Sequence, residues 1–303
     1  MLSRDLARYI DQKRSLGFKF ASQNVILTSF VTFAQERGDR YIKNARVLAW
    51  AAGASSPEHC RTRLLTVRRF ALALHAENGR HQVPEADALG HVTVKRRPPY
   101  IYSPEEVVRL LRAAAALKPA GSIRPIMYVT LLGVIAATGI RIAEALALQL
   151  EDVTADGLVI RETKFQKNRL LPLHVTVRQA LDRYLMARRE VAADRALFVS
   201  VAGKSPHYNA VRAVFLQLLD RTKLRGVHAG RDPRIHDLRH TFAVRSLEQC
   251  SHDRSAVARH IVALSTYLGH AHVTDTYWYL QATPVLMGQI AEAGEALLMG
   301  DAA

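Results

Sequence analysis

The chain has 303 residues, 49% of them hydrophobic, with 42 Lys and Arg against 27 Asp and Glu for a formal net charge of +15. A chain of this length buries one large core or two ordinary ones, so two domains is the default expectation. The two cysteines, Cys60 and Cys250, stand far apart with no CxxC pair, which argues against a disulfide framework or a cysteine zinc site and for a reducing compartment. The longest apolar stretch, Val129 to Ile140, is too short to span a bilayer. A cytoplasmic protein with no membrane partner is expected.

The charge is shared along the chain. Residues 1–95 hold 15 basic and 8 acidic side chains, and the remainder 27 and 19. Two basic halves suit contact with one polyanion, and nucleic acid is the commonest.

From the N-terminus, only helical periods occur over the first ~85 residues. Leu2, Leu6, Tyr9 and Ile10 make one apolar face; Ile26, Phe30, Phe33 and Ala34 a second; Val47, Leu48 and Trp50 a third. Ser56-Pro57-Glu58 then offers an N-cap followed by proline at the first helical position, opening a helix that turns Leu64, Val67, Phe70, Ala71 and Leu74 inward. These make a four-helix unit. Arg61, Arg63, Arg68 and Arg69 on the last helix form either a solvated face or a phosphate-facing one, and the overall charge favours the second. Periodicity fades from Asn78 to Tyr102, and Lys95-Arg96-Arg97-Pro98-Pro99 reads as an extended basic linker. The expected domains are therefore 1–90 and 103–303, joined by 91–102.

Ser103-Pro104-Glu105-Glu106 is a capping box that starts the second domain. It predicts a helix to about Ala116, followed by a buried helix across Ile126 to Ala137 and another from Ile140 to about Leu150. Gly157 to Arg161 and Arg169 to Leu173 read as two strands joined by a polar connection, and helices dominate the rest. The expected class is mainly α with a small antiparallel β-sheet.

Several residues in this second domain suit phosphate chemistry. Arg141 follows the turn signal Thr138-Gly139 and so lies near a helix start, where backbone N–H groups and the dipole favour an anion. Glu144, three residues on, shares its helical face. His236, Arg239 and His240 fall at i, i+3 and i+4, on one side of a helix, where three cationic or potentially cationic groups repel unless an anion sits among them. His270 follows Leu268-Gly269, where glycine allows a helix to stop. Tyr277-Trp278-Tyr279 offers two phenols, although an aromatic triplet by itself is ordinarily core packing. The polar connection between the strands holds Lys164 and Lys167. No HExxH, paired-ligand or Walker pattern occurs, so neither a metal nor a cofactor is expected.

Thr138-Gly139-Ile140-Arg141-Ile142-Ala143-Glu144, His236-Asp237-Leu238-Arg239-His240, Leu268-Gly269-His270 and Tyr279, in that order, resemble the boxes of the tyrosine recombinase (phage integrase) family. The resemblance implies a helical, SAM-like N-terminal DNA-binding domain and an α+β catalytic domain that close as a clamp on duplex DNA. It implies that Arg141 and Arg239 grip the scissile phosphate, that His236 is a base or hydrogen-bond partner, and that His270 contacts the phosphate or leaving group. Tyr279, nine residues after His270, takes the nucleophile's place ahead of Tyr277. Lys164, with Lys167 as the second candidate, takes that of the acid that protonates the departing 5′ oxygen. Glu144 and His240 support the set. A free phenol has a pKa near ~10, so ionising it at neutral pH costs roughly 4 kcal/mol, which neighbouring Arg and His groups can supply.

The implied activity is site-specific recombination through a 3′-phosphotyrosine, serving integration, excision or transposition of a mobile element. Its partners are double-stranded DNA and other copies of the chain in a synaptic tetramer on the nucleoid. The alternatives are DNA relaxation of the type IB topoisomerase kind and a non-catalytic DNA-binding regulator. Beyond the tyrosine, Pro284 opens a stripe of Leu286, Met287, Ile290, Ala293 and Leu297. The stripe packs on its own domain or, as the resemblance implies, on a neighbouring copy.

Overall fold

The computed structural model describes residues 2–90, 98–161, 168–191, 194–226, 232–249, 254–270, 272–277 and 279. Lys164, Lys167 and the stripe beyond Pro284 lie outside the described residues. The chain divides into two compact units, 1–97 and 98–303.

The first unit is four helices: α1 (Leu2–Ser15), α2 (Ala21–Gln35), α3 (Asn44–Ala52) and α4 (Pro57–Glu77). Burial follows the apolar periods in α1 and α4, with Leu2, Leu6, Tyr9 and Ile10 of α1 meeting Phe30 of α2, Trp50 of α3 and Leu64, Val67 and Phe70 of α4. In α2 and α3 the expected Ile26, Phe33 and Leu48 are only half-buried, and Leu27, Val31 and Ala51 fill the core instead. Ser56 caps α4 by accepting from the His59 N–H, with Pro57 at the first helical position, so proline's missing donor falls where no donor is needed. The arginines of α4 do not form one face. Arg63 donates to the Trp50 carbonyl and lies over the Trp50 ring, Arg68 is half-buried, and Arg61 and Arg69 are exposed.

The second unit opens with α5 (Pro104–Ala115). Its capping box is complete, because Ser103 Oγ accepts from the Glu106 N–H while the Glu106 carboxylate accepts from the Ser103 N–H. The buried helix α6 (Ile123–Thr138) begins three residues before the sequence expectation. Ser122 caps it, and Pro125 is tolerated because it stands in the first turn. The next helix, α7 (Ile142–Ala147), is shorter than expected and is followed by a single 3-10 turn over Leu150–Asp152. Asp152 closes that turn by accepting from the Gln149 N–H.

Three strands follow where two were expected. They are β1 (Val153–Thr154), β2 (Gly157–Ile160) and β3 (Arg169–Leu171), antiparallel in that order. Leu158 faces Leu171 and Ile160 faces Arg169 across the β2–β3 pair. The two-residue β1 is too short to show a period of two.

Helices α8 (Val175–Arg189), α9 (Tyr208–Arg221), α10 (Ile235–Glu248), α11 (Arg254–Leu268) and α12 (Thr274–Tyr277) complete the unit. One core gathers α5, α6, α8, α9 and the sheet. A second cluster joins Ala243, Val244 and Leu247 of α10 to Ile261, Leu264 and Leu268 of α11 and to Tyr279. The segment before α5 fixes α10, since Thr241 Oγ1 accepts from the Tyr102 N–H and Arg245 donates to the Tyr102 carbonyl. Among the described residues no helix is long and apolar enough to cross a membrane.

Candidate active site

Two helices that end on glycine organise the site. Helix α6 stops at Gly139 and α11 at Gly269, with φ of +63° and +68°, a left-handed conformation that glycine adopts without strain. Each stop leaves carbonyls that no helical N–H can claim, and two arginines claim them. Arg239 Nη1 donates to the Gly139 carbonyl at 2.6 Å, and its Nη2 donates to the Leu268 carbonyl at 2.8 Å. Arg141 Nη2 donates to the Gly269 carbonyl at 3.1 Å. The guanidiniums are thus held by main chain from the same two turns. Arg239 is 1% exposed. Burial, then the Arg141 charge, lowers its pKa to about 10, so it stays charged at neutral pH.

Arg141 caps α7, and its backbone N–H and Nη1 both donate to Glu144, at 3.2 and 2.8 Å. Glu144 also receives two bonds from Arg169 at the start of β3, at 3.2 and 2.6 Å. Burial alone would raise the Glu144 carboxyl, but the Arg169 and Arg141 guanidiniums outweigh it and hold the pKa below the usual range.

Helix α10 presents His236, Arg239 and His240 on one side, as the spacing predicts. Its first turn is fixed by Asp237, which accepts from the Arg234 N–H at 2.8 Å. The His236 and His240 rings meet edge to face with centroids 4.6 Å apart. His236 stands at the rim, open to solvent on one side, and makes no hydrogen bond among the described residues. Desolvation on its inner side, then Arg239, brings its pKa to about 4, a depression that solvent at the open edge screens. His240 is buried, and burial followed by His236 takes it to about 3. Its Nδ1 lies 3.3 Å from the Tyr279 hydroxyl.

His270 bridges the arginines and the tyrosine segment. Its Nε2 lies 3.0 Å from Arg239 Nη2, and its Nδ1 lies 2.8 Å from Thr276 Oγ1. Guanidinium only donates, so Nε2 is the acceptor and the neutral ring carries its proton on Nδ1, which donates to Thr276. Desolvation, then Arg239 and Arg141, lowers this imidazole to about 4. The Tyr279 ring stacks near His270, with centroids 6.1 Å apart and planes 21° from parallel. Tyr279 is 3% exposed, while Tyr277, the last residue of α12, is 49% exposed. The structure therefore gathers Arg141, Glu144, His236, Arg239, His240, His270 and Tyr279 into one connected set and leaves Tyr277 outside it.

This set can hold a phosphate between two fixed guanidiniums, with neutral imidazoles and a phenol alongside. Its residues lie within the span 101–284, which matches the model of the phage integrase family. The chain belongs to the phage integrase family. It is 38% identical over 290 residues, covering 92% of each chain, to a protein of Sinorhizobium fredii (strain NBRC 101917 / NGR234) provisionally named integrase/recombinase y4rB. It is 31% identical over 237 residues to tyrosine recombinase XerD of Mycobacterium tuberculosis (strain CDC 1551 / Oshkosh), covering 73% of this chain and 72% of that one. Among solved structures, a lambda integrase (75–356) dimer bound to a COC′ core site shares the fold at a TM-score of 0.66 and 17% identity, over 93% of this chain and 96% of that one.

Arg169, Thr276 and the turn carbonyls at Gly139, Leu268 and Gly269 enter the site without having been assigned to it from sequence. A signal for Arg169 was available. Side chains two apart on a strand share a face, and Arg169 stands two before Leu171, which is buried.

Proposed function

We propose that this family member is a site-specific DNA recombinase that cuts and rejoins strands through a covalent link to Tyr279. The observation that carries the reading is the position of the Tyr279 hydroxyl, 3.3 Å from His240 Nδ1, in the set that also holds Arg141 and Arg239. The phenol oxygen attacks a phosphodiester phosphorus, and the bond to the 5′ oxygen breaks, leaving a 3′-phosphotyrosine and a 5′-hydroxyl. The phenol proton passes to a neutral imidazole of the cluster: His236 takes the role of base or hydrogen-bond partner that its motif implies, and His240 Nδ1, 3.3 Å from the hydroxyl, supports the phenol. Arg141 and Arg239 stabilise charge on the non-bridging oxygens. Lys164, with Lys167 as the second candidate, protonates the leaving oxygen. Attack by a 5′-hydroxyl from a second strand reverses the step, so no external energy source is needed.

Double-stranded DNA and further copies of the chain assembled on it are the partners, in keeping with the DNA-bound dimer of the lambda neighbour. The relatives named integrase/recombinase and XerD favour recombination over relaxation or silent regulation. Integration, excision or transposition of a mobile element is the setting, on the nucleoid. The test is incubation of the full chain with a library of nicked duplexes of random sequence, followed by denaturing gels and peptide mass spectrometry. Wild type and Tyr277→Phe give an adduct on the Tyr279 peptide, and Tyr279→Phe gives none while still binding DNA. An adduct that survives Tyr279→Phe would refute the assignment.

A further inference from the structure

We propose that Arg169 is a positioning residue: by neutralising Glu144 it keeps the Arg141 charge free for phosphate. The proposal rests on the phosphate-binding reading of the site. Glu144 accepts from four donors, two on Arg141 and two on Arg169. Its side chain is 13% exposed, so water does little to neutralise it. With Arg141 as its sole partner, this carboxylate would close the pair at zero charge and compete with any incoming anion for the guanidinium. With Arg169 present, Arg141, Arg169 and Glu144 together carry one positive charge. Arg239 raises that to two while the histidines are neutral. A phosphodiester carries one negative charge, and the five-coordinate state on the way to the phosphotyrosine carries two. Without Arg169 the site carries one positive charge fewer against either state.

The geometry makes Arg169 act through Glu144 rather than on phosphate directly. Its side chain is 12% exposed, and both Nη atoms are committed to the carboxylate. It also lies beneath the turn that holds Arg141, since a Cβ built on Gly269 would stand 2.7 Å from Arg169 Nη1. The Gly269 carbonyl that accepts from Arg141 and the carboxylate that orients it therefore rest on one buried guanidinium.

Two measurements on the full chain test this. Inorganic phosphate titrated into the DNA-free protein, followed by the His270 ring resonances, reports the anion affinity of the site whether or not DNA is cut. The rate of adduct formation on a duplex selected from the library, with Kd from fluorescence anisotropy, reports catalysis. Arg169→Met should weaken phosphate binding about 10-fold and slow adduct formation about 100-fold, with duplex Kd within about 3-fold. Arg169→Lys, which keeps the charge, should recover most of both. Adding Glu144→Gln to Arg169→Met should restore phosphate affinity, because it removes the anion that Arg169 offset. Glu144→Gln alone should tighten phosphate, which keeps the test open if Arg169→Met does not fold.

Equal losses in Arg169→Met, Arg169→Lys and the double variant overturn the proposal, since shape rather than charge would then matter. Unchanged phosphate affinity in Arg169→Met also overturns it. A wild-type chain that binds phosphate in this Arg169-dependent way but never forms an adduct sinks the recombinase reading and leaves the positioning role intact.

Discussion

Acidifying the DNA-free protein should destabilise it through its buried histidines, and His240 lets the magnitude be worked. The residue is 9% exposed, and burial followed by His236 holds its pKa at about 3, whereas an imidazole in the unfolded chain titrates near ~6.5. Above that value both states are neutral and His240 adds no pH dependence. Below it the unfolded chain takes up a proton that the folded chain refuses, so stability falls until the folded pKa is reached. At pH of about 5 the unfolded imidazole is almost fully protonated and the folded one almost not at all, a loss of about 2 kcal/mol. His270, half-buried and held at about 4, should add about 1 kcal/mol once its exposure is allowed for. The assay is urea unfolding of wild type and His240→Asn between pH of about 7 and 5, where the variant should lose about 2 kcal/mol less than wild type over that interval. Identical pH slopes would refute the reasoning, because His240 could not then be a neutral ring that folding shields from protons.

Gly139→Ala should lower stability by about 2–4 kcal/mol, from left-handed strain and crowding together. The added carbon would stand 2.6 Å from Phe242 Cδ1 and 3.0 Å from Leu268 Cδ2; an unchanged unfolding midpoint would contradict this. Adduct formation should persist in EDTA, since arginines carry the phosphate charge in this scheme. A strict divalent-ion requirement for the covalent step would rule the scheme out.

Sequence carried the fold furthest where local chemistry and burial agree. The apolar faces of α1 and α4 are buried as their periods predict, and both Ser-Pro starts fold as capped helices. It failed where structure is shorter than a period, as at β1, and at the start of α6, which opens three residues before the expected Ile126. In the site, motif and spacing picked out Arg141, Glu144, His236, Arg239, His240, His270 and Tyr279, which the fold brings together, while Lys164 and Lys167 lie outside the described residues. What they could not supply was the acceptors: a Thr-Gly or Leu-Gly pair marks a helix stop, but not which guanidinium its carbonyls will meet. Arg169 escaped because one charge at a strand end ordinarily reads as solvated. Only tertiary structure shows that its partner, Glu144, lies 25 residues away.

The hold of Arg141 and Arg239 on the ends of α6 and α11 sets how this enzyme fails on heating. Last turns of helices open locally at lower free energy than whole domains, and here such fraying removes the acceptors that aim both guanidiniums. On the proposed mechanism, catalytic competence should therefore be lost before the unit melts and should return on cooling without refolding. Amide exchange at Gly139, Gly269 and His270, whose N–H groups close the two turns by bonding Ile135, Thr266 and Ser265, should track activity against temperature more closely than the melting curve does.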